Sequence, residues 1–115
     1  MERRQHPRVK TNKFISYRCI NGGDRQTKEG KGKSVNISQG GILIETHDAF
    51  EWQDILLLTL DIEGESVSVK GKVIYCNADN FGKYRTGIQF LETNEKIISF
   101  VKKLLKTYSE ILGIT

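Results

Sequence analysis

Between Val67 and Tyr75 the chain alternates with a period of two. Val67, Val69, Gly71, Val73 and Tyr75 fall on one side, and Ser68, Lys70, Lys72 and Ile74 fall on the other. A β-strand sends successive side chains to opposite faces, so this pattern packs one face and leaves the other to water. A helix would scatter the same apolar residues around its circumference. The segment therefore commits the chain to a sheet, because a lone strand leaves its backbone donors and acceptors unpaired.

Five other runs supply neighbours. Phe14 to Ile20 is rich in β-formers, and Ser34 to Ile37 starts another strand. Gly41 to Thr46 carries apolar groups on both faces and should be largely buried. Asp54 to Ile62 and Lys83 to Leu91 complete the set, the latter with Tyr84, Thr86, Ile88 and Phe90 on one face. Between them, Asn21 to Gly32 reads as a polar glycine-rich connection, Glu63-Gly64 as a tight reversal and Asn77 to Gly82 as a turn. Trp52 is expected to pack a sheet edge, and His47 to sit in a surface loop. After Thr93 the period changes. Ile97, Ile98, Val101, Leu104, Leu105, Tyr108, Ile111 and Leu112 recur at helical spacing, with Thr93 or Asn94 as cap and Gly113 as stop, which predicts a helix over about 94–112. Six strands and one covering helix imply an all-β-dominated fold, a small antiparallel barrel or sandwich.

At 115 residues this is one domain. Residues 1–12 are expected to be a flexible, extended arm, since Pro7 opposes helix there, and 13–115 the domain proper. The formal charge is +4, but it is uneven: Asp24 and Glu29 are the only acids among the lysines and arginines from Arg3 to Lys33. An anionic partner is expected to dock near this end. Cys19 and Cys76 each lie in an apolar run and have no zinc spacing, which predicts free thiols and no metal. No signal peptide precedes the first strand and Ile55 to Leu60, the longest apolar run, cannot span a bilayer, so a cytoplasmic location is expected. No GxSxG or phosphate-binding GxxxxGK[ST] motif and no nucleophile–base pair appears, which points away from an enzyme.

Two short motifs carry the chemistry. Arg4-Gln5-His6-Pro7-Arg8 is an RxxxR preceded by Arg3, and Asn36-Ile37-Ser38-Gln39-Gly40-Gly41 fits [D/N]xSxxG. Arginine's planar fork matches phosphate oxygens and also guanine O6 and N7, and its face stacks on purines. Four residues of extended chain span at most ~13 Å, so Arg4 and Arg8 can reach well-separated parts of one anionic ligand. Asn36 offers an amide that donates and accepts at a base edge, and Ser38 offers a hydroxyl. Gly40 and Gly41 let the backbone turn and approach a ligand closely.

In this order and on this β pattern, the two motifs resemble the signature of the PilZ domain, a bacterial receptor module for cyclic di-GMP. Tyr84 to Phe90 (YRTGIQF) is similar to that family's late strand. The resemblance covers essentially the whole chain, and it implies a six-stranded antiparallel β-barrel with a C-terminal helix. It also implies that Arg4, Arg8, Asn36, Ser38 and Gly41 bind cyclic di-GMP, with Gly40, Arg85 and Gly87 as additional contacts. A basic residue just before RxxxR favours a stacked pair of ligands in the family, and Arg3 holds that place. The ligand would bridge arm and turn, order the arm and alter contacts with an effector protein. Two other readings stand beside this one. A basic β-barrel could bind single-stranded nucleic acid, against which stands the lack of clustered exposed aromatics on adjacent strands. A PilZ-like interaction domain could bind no ligand, but both motifs are present here.

Overall fold

The computed structural model describes residues 7–21 and 28–112, with side chains as far as Thr107. The described elements run β1 (Val9–Lys10), β2 (Phe14–Cys19), β3 (Glu29–Ile37), β4 (Gly41–Thr46), β5 (Ile55–Ile62), β6 (Glu65–Ala78), β7 (Tyr84–Phe90) and α1 (Glu95–Leu112). The chain folds as an antiparallel β-barrel in the order β3-β2-β5-β6-β7-β4, and pairing of β4 with β3 closes it. Closure removes the free edges that an open sheet would expose.

β1 is the extra strand. It pairs with Ile37 and Asn36 of β3, while β2 pairs with Glu29 to Lys33 on the same strand. The Thr11 N–H donates to the Val35 carbonyl at 3.0 Å and the Ser34 N–H to the Lys13 carbonyl at 2.8 Å, so β1 and β2 occupy one edge of β3 in succession. The sequence reading did not foresee this short strand.

Alternation fills the interior: Ile15, Tyr17, Ile44, Leu56, Leu58, Val69, Val73 and Ile88 all point inward and are buried. Burying one such side chain stabilises the fold by about 1.5–3 kcal/mol. α1 covers this core with Ile97, Phe100 and Val101, and Leu104 and Leu105 pack beside them. Asn94 caps the helix, its Oδ1 accepting the Ile97 N–H at 3.1 Å. Glu63 and Gly64, with φ of 53° and 86°, form the predicted tight reversal.

Several expectations need correction. Asn21 to Gly32 is not all connection, because Glu29 to Gly32 belong to β3. Gly30 and Gly32 mark close approach rather than a turn: a Cβ on Gly32 would lie 2.5 Å from the Glu45 carbonyl oxygen, and one on Gly30 would lie 2.9 Å from the Tyr17 hydroxyl. β6 is longer than the alternating segment, and the turn after it is Asp79 to Lys83, tied by the Asp79 carboxylate accepting the Phe81 and Lys83 N–H groups. Those two bonds hold the Asp79 carboxyl below the ordinary carboxylate range. Trp52 packs no sheet edge; it is 71% exposed. Tyr75 leaves the packed face because β6 shifts register against β7 between Val73 and Tyr75. The extra residue, Ile74, reverses the parity, so Tyr75 faces outward and Cys76 turns in to accept hydrogen bonds from the Phe50 N–H and the Thr86 hydroxyl. Cys19 and Cys76 are both free.

Candidate functional site

A second bulge builds the site. β3 shifts register against β4 between Ser34 and Asn36, which makes Val35 the unpaired residue. Gly32 and Ser34 point inward before it and Ile37 points inward after it, which leaves Asn36 on the outer face, half-buried. Without the bulge, strict alternation would have sent the Asn36 amide into the core.

The turn that follows is held by one hydroxyl. Ser38 Oγ accepts the Gly40 and Gly41 N–H groups at 3.2 and 3.1 Å and contacts the Gly41 carbonyl at 3.3 Å. The Ser38 N–H also donates to the Gly41 carbonyl at 2.8 Å, and Gly40 accepts from the Phe90 N–H at 2.9 Å. Ser38 is buried, so its hydroxyl serves the turn. Gly41 has no room for a side chain: a Cβ would lie 2.4 Å from the Ile88 carbonyl oxygen.

β1 brings the first motif to this turn. Val9 packs against the core while its neighbour Arg8 reaches Asn36, the Arg8 Nη1 donating to Asn36 Oδ1 at 3.3 Å. Residues from the two sequence motifs thus meet across 28 positions of chain. The bond uses one of five guanidinium donors, and the Asn36 amide N–H groups have no partner among the described residues. Arg3 and Arg4 lie outside the described residues.

The strand registers extend the site sideways. Lys10, Asn36, Leu43, Gly87 and Tyr75 stand opposite one another in a row across five strands. A Cβ on Gly87 would lie 2.2 Å from the Tyr75 ring, so the glycine lets that ring lie flat on the backbone. Arg85 lies two rows away. Its Nε sits 3.7 Å from Glu45, a carboxylate it shares with Lys83 at 3.5 Å. Sequence reasoning passed over Lys10 and Tyr75; Lys10 had no signal, and alternation assigned Tyr75 to the interior. Among the described residues, the largest change in proton affinity lies away from this row. Burial, followed by the hydrogen bond and charge of Asp48, pushes the Tyr17 phenol above its ordinary range.

An outward amide, a backbone-lined turn and a guanidinium across from them form a surface suited to a planar, anionic ligand bearing polar edges. Comparison with known proteins agrees with this fold. The PilZ domain family model matches residues 2–108, and the chain belongs to that family. An uncharacterised protein of Aquifex aeolicus (strain VF5) is 28% identical over 114 residues, which cover 97% of this chain and 53% of that protein. The chain thus spans about half the length of that curated relative. Among solved structures, the Bacillus subtilis inhibitor of motility MotI/DgrA superposes with a TM-score of 0.71 at 19% identity, covering 98% of this chain and 53% of that one. The PilZ domain of YcgR from Escherichia coli, solved with c-di-GMP, gives 0.68 at 12% identity and covers 99% and 100%. The K. pneumonia MrkH–c-di-GMP complex gives 0.66 at 17% identity, covering 98% and 54%. No described helix is long and apolar enough to cross a membrane.

Proposed function

We propose that this chain is a receptor module for cyclic di-GMP. The observation that carries the reading is the contact of Arg8 with Asn36, which joins RxxxR to [D/N]xSxxG at one point on the outer face. The complexes of YcgR and MrkH with c-di-GMP support the choice of ligand. In this reading Arg4 and Arg8 clamp phosphate oxygens and guanine edges, while Asn36 reads a base and Gly41 lets the ligand approach the backbone. Ser38 and Gly40 position the turn. Gly87 and Arg85 border the ligand, and the Tyr75 ring provides an apolar surface in the same row. Arg3 adds a cation that favours two stacked ligands.

The ligand replaces the direct Arg8–Asn36 bond with a larger set of contacts, ordering the arm over the barrel. The rearranged surface then changes contacts with a separate effector protein in the cytoplasm. The module performs no catalysis itself. Calorimetric titration of the full chain with cyclic di-GMP, GTP and cyclic AMP tests this. The expected result is binding of cyclic di-GMP alone, at two molecules per chain. Equal heats for all three nucleotides, or none for cyclic di-GMP, would reject the receptor; a stoichiometry of one would reject the stacked pair.

A further inference from the structure

Another part of the outer surface has its own chemistry. Phe14 starts β2 on the solvent side and is 70% exposed. A lone exposed ring is ordinary, but this one has organised neighbours. Lys33 is its cross-strand partner, with Nζ 5.6 Å from the ring centroid. Lys31 lies two residues along the same face of β3, roughly 7 Å away. A hollow of about 190 Å³ opens beside the ring, bordered by Lys31, Lys33, Lys83, His47 and Glu45. A second, of about 380 Å³, lies on its other flank and shares Lys31.

The charges in this hollow are not balanced. Glu45 is already placed between Lys83 and Arg85. Among the described residues Lys31 and Lys33 have no ion-pair partner. Two uncompensated ammonium groups beside an exposed aromatic ring attract a group that is both anionic and apolar.

We propose that this face docks an acidic peptide segment of a partner protein. A glutamate or aspartate side chain enters the hollow between Lys31, Lys33 and Lys83, and a neighbouring apolar side chain covers Phe14. Three features favour a peptide over single-stranded nucleic acid. One ring cannot stack a run of bases. Glu45 borders one hollow and Asp61 the other, so an unbroken run of phosphates crossing the face would meet a carboxylate on each flank, whereas a peptide can set its acids at the lysines and neutral residues beside Glu45 and Asp61. The lysine spacing of roughly 7 Å matches acids two residues apart on an extended peptide. The barrel is closed here, so the partner must be recognised by side chains rather than by strand addition. None of these groups belongs to the Arg8–Asn36 site, and the proposal stands apart from the messenger reading.

The test is amide chemical-shift mapping on the full chain at low salt. The probe is a synthetic dodecapeptide in which glutamates flank a single tryptophan. Shifts should cluster at Phe14, Lys31, Lys33, Glu45 and His47. The K31E/K33E variant should weaken binding at least about tenfold, and Phe14→Ser about fivefold, with dispersed amide spectra showing both variants folded. Replacing the tryptophan of the probe by serine should weaken it by a similar factor. Shifts scattered over the surface or centred on Arg8 and Asn36 would overturn the proposal. So would undiminished binding to K31E/K33E, or tighter binding of a dT12 oligonucleotide than of the peptide at the same salt.

Discussion

The turn at Ser38–Gly41 and the segment at Pro7–Lys10 meet at one residue, Asn36, but they are held in different ways. The turn is self-contained: one buried hydroxyl and two strands fix it, and the N–H groups of Ser38, Gly40 and Gly41 and the carbonyls of Gly40 and Gly41 already have partners. The arm rests on a two-residue ladder, one side chain at the edge of the core and a single 3.3 Å contact from Arg8. The turn would keep its shape without the arm. Docking of the arm is shallow, and in the proposed function a few new charge-assisted hydrogen bonds to the ligand outweigh what holds it. In the proposed function, one half of the site is therefore scaffold and the other half is switch.

Substitutions test that contrast. The largest effect is expected from Gly41→Val, whose branched side chain would meet the Ile88 carbonyl 2.4 Å from its Cβ and force β4 from β7. It should cost about 3 kcal/mol in urea unfolding. An unchanged midpoint would show that the turn is softer than described. Arg8→Ala comes next, through binding instead of folding: affinity for cyclic di-GMP should fall at least about tenfold while stability moves by less than about 0.5 kcal/mol. If it destabilised the fold as much as Gly41→Val, the arm would be scaffold too.

Ser38→Ala strips the Gly40 and Gly41 N–H groups of their acceptor and should cost about 1.5 kcal/mol, with a smaller loss of affinity than Arg8→Ala. The smallest effect is expected at Tyr17, which serves neither half. Tyr17→Phe removes the bond to Asp48 and should cost about 1 kcal/mol at neutral pH. The phenol of Tyr17 is held above its ordinary range when folded. The unfolded chain therefore releases that proton first, above pH about 10, and wild-type stability should fall as pH rises past that point. In the Phe variant this part of the decline should be missing; identical slopes in the two proteins at high pH would contradict the assignment.

Much of this architecture could be read from the residues. The period of two in β6, the change to helical spacing after Thr93, the Glu63-Gly64 reversal and the Asn94 cap all follow from local rules, and all are present. What could not be read is where the pleat slips. Val35 and Ile74 are β-branched residues in β-rich runs, and nothing in their identity marks them as bulges. Yet those slips put Asn36 and Tyr75 on the outer face. Gly30 and Gly32 misled because glycine signals both a turn and a close approach. At the site, the motifs announced their residues but not their duties. That the Ser38 hydroxyl is occupied by its own turn, and that Arg85 is paired with Glu45, depend on registers that become visible only in the folded sheet.

The proposed function requires that cyclic di-GMP lie between the Arg8 arm and the Asn36–Gly41 turn. A crystal structure of the full chain grown with cyclic di-GMP tests it most directly. The expected result is ligand on the outer face, with Arg4 and Arg8 on one side and Asn36 and Gly41 on the other. Ligand bound elsewhere on the barrel, or an empty groove at saturating ligand, would contradict it.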